Sequence, residues 1–303
     1  MTTHFADRLA DAVRRAGNPL CVGLDPRWES LPKAIRDRHD AGSLDGVAAA
    51  YEAFCLRVLD LVAGQVAVVK PQSAFFESCG PAGLRALQVV TRRAKELGLL
   101  VVLDAKRGDI ASTATAYADA AFGGTPVAGT SLPVWDSDAL TVNPYLGRDA
   151  VEPFIRSARQ TGRGLFVLVR TSNPGSGQFQ DLDCGGRKFY RHVADAVTAW
   201  NSENIGASGF GDVGAVVGAT HPAELAELRT AMPGVWFLVP GYGAQGGSAA
   251  DVAAGFRKDG LGAIVNSSRG ITFPFQPDDR AWEDAIVAAT RRSVSELSAA
   301  THG

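Results

Sequence analysis

The chain has 303 residues, 46% of them hydrophobic, and a formal net charge of −2. That is enough apolar material for a full core in a soluble protein, and a β/α barrel of about 250 residues plus insertions fits within it. A charge so near zero argues against a broad electrostatic footprint for nucleic acid or an anionic membrane, yet leaves room for a small anion at a local cationic spot.

The N-terminal stretch MTTHFADRLADAVRR carries Asp7 and Asp11 and has no continuous apolar region, so it does not read as a signal peptide. Phe5, Leu9 and Val13 recur at four-residue steps and predict a short amphipathic helix packed on the body. Eight short apolar runs follow, at 20–25, 66–70, 99–104, 140–143, 165–170, 213–218, 235–240 and 263–266. Near-continuous Val/Ile/Leu runs suit parallel strands buried on both faces. Helix-like segments alternate with them. The first, 46–62, starts after Ser43 and Asp45, either of which can cap it; the second, 81–98, opens on Pro81 and closes on Gly98. The others are 112–122, 148–159, 188–200, 222–232, 248–257 and 279–297.

Strict strand–helix alternation predicts an α/β fold: a single (β/α)8 TIM barrel over residues 1–303, with an extra N-terminal helix. A doubly wound open sheet is the alternative. The stretches 123–135 and 173–187 read as irregular loops long enough to be functional. No apolar run approaches the roughly 18 residues that cross a bilayer. Cys21, Cys55, Cys79 and Cys184 form no C-x-x-C pair and read as reduced thiols of a cytoplasmic protein. The histidines show no H-E-x-x-H spacing, so no zinc site is expected.

In such a barrel the chemistry sits at the C-terminal ends of the strands. Strand one ends in Asp25, strand two in Lys70, strand three in Asp104-Ala105-Lys106 and strand five in Arg170-Thr171-Ser172. The densest group is LDAKRGDI, 103–110, where Asp104 and Lys106 share one face of a strand end and would hold each other charged. A surface ion pair is the bland reading, but a charged cluster ending a buried strand points into the barrel mouth. PGYGAQGG supplies Gly241, Gly243, Gly246 and Gly247, whose amides can face an anion, and the following helix would aim its N-terminus there. Strand eight then delivers Arg269, a fork suited either to phosphate oxygens or to a nearby carboxylate.

The string D-x-K-x-x-D at the end of strand three resembles the hallmark of orotidine 5′-phosphate decarboxylases and their barrel relatives. CVGLDP, VVKPQ, TSNPG, PGYGAQGG and NSSRG resemble further motifs of that family, in the right order along most of the chain. NSSRG departs from the commoner eighth-strand form and extra length lies near 174–212, while KPQSAFFE and TVNPYLG, unlike the compact forms, suggest the longer bacterial-type branch. The resemblance implies decarboxylation of orotidine 5′-phosphate to UMP without a cofactor or metal. It places Asp25 at the ribose-binding acid, Lys70 at the second-strand lysine, Ser172 at the pyrimidine, and Gln245 and Arg269 at the phosphate, with Gly243 in the phosphate turn. The chemistry then assigns Lys106 as the cation beside the C6 carbanion and as its proton donor, with Asp104 and Lys70 holding it. Asp109 and Thr113 are implied to reach across a two-fold axis into a partner's site, giving a homodimer with shared active sites. On sequence alone Asp109 or Ser112 can equally be a helix cap. Magnesium-dependent phosphosugar decarboxylases or aldolases of the same barrel group, and a catalytically silent phosphate-binding barrel, are the rivals. The former are implied to carry an acidic ligand where this chain has Lys70.

Overall fold

Each apolar run forms a strand, since its β-branched side chains are buried on both faces once the strands lie side by side. The computed structural model describes residues 3–243 and 246–301. The strands are β1 (Leu20–Leu24), β2 (Val68–Pro71), β3 (Leu100–Arg107), β4 (Ala139–Val142), β5 (Gly164–Arg170), β6 (Val213–Val217), β7 (Phe237–Val239) and β8 (Ala263–Ser267). They form a closed barrel in which each strand neighbours the next in sequence, and β8 returns to β1 with Val265 opposite Leu20. Closure excludes the open doubly wound sheet.

Helices follow the strands. They are α2 (Leu44–Val62), α3 (Gly80–Glu96), α4 (Ala111–Ala121), α5 (Arg148–Thr161), α6 (Phe189–Ser202), α7 (Pro222–Ala231), α8 (Ala249–Ala253) and α9 (Trp282–Thr301), and α1 (Phe5–Ala16) precedes them all. The expected amphipathic helix α1 buries Phe5, Leu9 and Val13 against the barrel interior residues Val68, Phe166 and Ile264. It closes one end. The Phe5 ring meets Phe166 edge-on at 6.2 Å. A β-carbon on Gly164 would come within 2.0 Å of the Phe5 ring, so only glycine admits this plug. Arg8 fixes it by donating to Asp138 Oδ1 at 2.8 Å, a buried carboxylate that also accepts from Arg163 and from the Val101 amide.

Four local expectations are corrected. The 248–257 segment is helical only at Ala249–Ala253, because Gly255 favours a helix end over an interior. The 123–135 loop is a two-stranded antiparallel hairpin, Thr125–Val127 with Thr130–Leu132. Its turn residues Ala128 and Gly129 both have positive φ, 49° and 79°, the requirement of a type I′ turn. Neither Asp109 nor Ser112 is the N-cap of α4: Ile110 is, and Asp109 Oδ1 accepts from the Ile110 amide at 2.8 Å. Finally, β3 runs to Arg107, beyond the expected end at 104. Among the described residues no helix is long and apolar enough to cross a membrane.

Candidate active site

At the C-terminal rim of the barrel lies a cavity of about 490 Å3 whose walls include Asp25, Lys70, Asp104, Lys106, Ser172 and Arg269. Six of the ten site residues expected from the sequence therefore meet in one place. The centre is Asp104. Its Oδ2 accepts from Lys70 Nζ at 2.7 Å and Gln72 Nε2 at 3.0 Å, and its Oδ1 from Lys106 Nζ at 2.7 Å and Thr141 Oγ1 at 2.9 Å. Four donors occupy the lone-pair positions of one carboxylate.

The electrostatics follow from that crowd. Burial alone would push the Asp104 carboxyl up, but the charges of Lys70 and Lys106 and their hydrogen bonds hold it well below the usual carboxylate range. Each opposite charge near 4 Å is worth roughly 4 kcal/mol at an effective dielectric near 20, and a buried ion costs several kcal/mol in lost hydration. One lysine would about balance that cost; two exceed it. Burial likewise draws the Lys70 ammonium down, and the charges of Asp104 and Asp25 reverse this and hold it above its ordinary value. Both groups are thus charged throughout the neutral range. Lys70 is fixed inside the barrel, whereas the Lys106 side chain is 48% exposed and stands at the open side of the cavity. Burial pushes the neighbouring Cys21 thiol up to about 12, so it is a neutral neighbour and not a nucleophile.

The rim supplies acceptors too. Asp25 Oδ1 and Asn266 Oδ1 are buried with no hydrogen-bond partner among the described residues, and both residues line the cavity. Ser172 reaches the wall because Gly218, at the end of the adjacent β6, has no side chain. A β-carbon there would come within 2.9 Å of Ser172 Cβ. Gln180, from the loop after β5, accepts from the Thr171 amide at 3.0 Å and donates to its hydroxyl at 2.7 Å, tying that loop to the rim. Arg170 turns away, pairing with Asp181 and lying over the Tyr190 ring.

The remaining expectations divide. Arg269 is exposed at the mouth, and among the described residues no carboxylate pairs with it. Gly243 is not among the cavity walls, and its amide donates to the Gly247 carbonyl at 2.7 Å, so it is committed within its own turn; Gly241 lines the cavity instead. The helix after this turn is short, and Ser248 and Asp251 cap it reciprocally, which occupies the amides of those two residues. Gln245 lies outside the described residues. Asp109 is half-buried and Thr113 exposed on α4, and neither lines this cavity. Sequence reasoning missed Thr141, Asn266 and the role of Gln72. Among the described residues no group of three or more His, Cys, Asp or Glu side chains is placed to hold a metal.

Residues 18–281 match the family model described as orotidine 5′-phosphate decarboxylase / HUMPS family. The chain is 52% identical over 300 residues to a protein of Rhodopirellula baltica named orotidine 5′-phosphate decarboxylase, covering 97% of this chain and 98% of that one. A protein of the same name from Deinococcus radiodurans is 40% identical, with 95% and 96% covered. The structure of Leishmania donovani OMP decarboxylase superposes with a TM-score of 0.77 at 37% identity, covering 99% of this chain and 100% of that one.

Proposed function

Because the chain belongs to the orotidine 5′-phosphate decarboxylases, the enzymes that form UMP in pyrimidine biosynthesis, we propose that Lys106 carries the reaction, with Asp104 and Lys70 fixing it. Breaking the bond from C6 to the carboxylate leaves its electron pair on C6 as carbon dioxide departs. No π-system is aligned to absorb that pair, so a cation placed beforehand beside C6 is the natural device. The Lys106 ammonium then gives C6 a proton, UMP forms, and solvent restores the lysine. The observation that carries this reading is the Lys70–Asp104–Lys106 array, with both ammonium groups 2.7 Å from one carboxylate at the floor and mouth of the cavity.

The rest of the nucleotide finds fitting chemistry. Asp25 Oδ1, a buried acceptor without a partner among the described residues, suits a ribose hydroxyl. Ser172 suits the pyrimidine edge. Arg269, with the glycine-rich turn that holds Gly243 and Gln245, suits the phosphate. The metal-dependent rivals fit poorly, since the Lys70 ammonium stands where a divalent cation would need an anionic ligand and would repel it. UMP formation by the purified chain is expected to proceed at an unchanged rate after treatment with EDTA. Activity lost to EDTA and restored by magnesium would favour the rivals.

The phosphate is remote from C6, so its binding energy can be used to close the site. Arg269→Ala is expected to lower kcat as well as kcat/KM, the latter by roughly 100-fold or more. Phosphite dianion should partly activate wild type toward a substrate that lacks the phosphate. A loss confined to a small change in KM would remove the gripping role.

The chain is further read as one barrel domain that works as a homodimer in the cytoplasm. Asp109 and Thr113 would then complete the partner's site. Support comes from their place outside their own cavity and from the exposed apolar side chains of Ile110, the N-cap of α4, and Tyr117 on α4.

A further inference from the structure

We infer that Thr141 on β4 is a positioning residue for the reacting lysine, acting through one hydroxyl that holds both the Lys106 backbone and the carboxylate that binds its ammonium; the inference rests on the reading of Lys106 given above. The reason lies in the strand pairing. β3 and β4 pair at Leu103 with Leu140 and again at Arg107 with Val142, and the register shifts between. Residues 104, 105 and 106 of β3 therefore face Thr141 alone. Such a bulge frees backbone N–H groups from the ladder, and buried N–H groups need partners. Thr141 supplies one: its Oγ1 accepts from the Ala105 amide at 3.1 Å and from the Lys106 amide at 2.9 Å.

The same oxygen donates to Asp104 Oδ1 at 2.9 Å, the atom that Lys106 Nζ reaches at 2.7 Å. A hydroxyl has one proton and two lone pairs, and all three are used. Thr141 thus ties the lysine at both ends, at its amide and at its counter-ion. The tie matters because Lys106 has φ 47°, in the left-handed region that a residue with a β-carbon avoids. Without the two amide bonds the bulge can relax toward an ordinary strand and carry the ammonium away from C6. Thr141 is itself buried and lines the floor of the cavity. It touches no reacting atom directly in this reading, so its effect belongs in the geometry of the transition state and not in nucleotide affinity.

The test compares Thr141→Ala, Thr141→Val and Thr141→Ser. Valine fills the space and excludes a water that could replace the hydroxyl after alanine substitution; either variant serves if the other does not fold. Both are expected to lose roughly 100-fold in kcat, the scale of an ångström-sized misplacement, with KM and UMP affinity within about threefold of wild type. Serine keeps the hydroxyl and is expected to stay within about fivefold in kcat. Adding Thr141→Ala to Lys106→Ala should slow the enzyme no further, because the residue it positions is gone. The inference is overturned if both apolar variants keep near wild-type kcat, if the loss appears in KM, if serine fails to rescue, or if the losses multiply in the double variant. An active Lys106→Ala enzyme would instead defeat the reading of Lys106, and the two failures are told apart by that single variant.

Discussion

Lys106→Ala is expected to retain the fold and UMP binding while losing roughly 10⁴- to 10⁷-fold in kcat. The magnitude follows from two roles on one atom. Removing a preorganised group that stabilises developing charge costs about 10²- to 10³-fold, and removing a general acid costs about 10²- to 10⁴-fold. The side chain can be removed without wrecking the barrel because it is half exposed and is only one of four donors to Asp104. Lys70 is different: it is buried inside the barrel, and its removal would leave the Asp104 and Asp25 carboxylates without their buried cation. Melting temperature and UMP affinity separate a catalytic loss from an unfolded protein. Near-normal turnover by a folded Lys106→Ala enzyme would end the assignment.

Asp109→Ala is also expected to be nearly inactive, although Asp109 does not line the cavity of its own chain. Its carboxylate lies at the start of α4 and bonds the Ile110 amide, on a surface bearing Ile110 and Tyr117 in the open. If that surface is covered by a second copy across a two-fold axis, two equivalent shared sites form together. Mixing Lys106→Ala with Asp109→Ala then gives heterodimers in which one site carries both defects and the other carries neither. With statistical exchange, activity should rise from almost nothing to about a quarter of wild type. Absence of recovery, with exchange shown by mass, would place Asp109 in its own subunit's structure alone.

The strands and the ends they present were legible because parallel buried strands leave a strong, nearly continuous apolar signal, and because charged residues ending such runs have only the barrel mouth to face. Asp104 and Lys106 sit two apart at one strand end, so the sequence alone places them near each other, though not the bulge that fixes Lys106 there. Thr141 was not legible. Within ALTV a threonine reads as one more β-branched strand residue, and its partner Asp104 lies 37 positions away, brought near only by the pairing of β3 with β4. Gln72 was hidden behind Pro71 in the same way. The hairpin after α4 escaped notice because its turn is Ala-Gly, without the Asn or Asp that usually marks positive φ. The capped, five-residue α8 shows the opposite error: Ser248 followed by apolar residues promised a longer helix than Gly255 allows.

The proton-donor role of Lys106 is tested most directly in the reverse direction, without any carboxylate to lose. An enzyme whose ammonium protonates the C6 carbanion must, by microscopic reversibility, also remove the C6 proton of bound UMP. Incubated with UMP in deuterated water, wild type is expected to place deuterium at C6 well above the uncatalysed rate, as read by proton NMR. Lys106→Ala, still binding UMP, should show no exchange above background. Exchange at the wild-type rate in Lys106→Ala, or none in a wild-type enzyme that turns over orotidine 5′-phosphate, would contradict the role of Lys106.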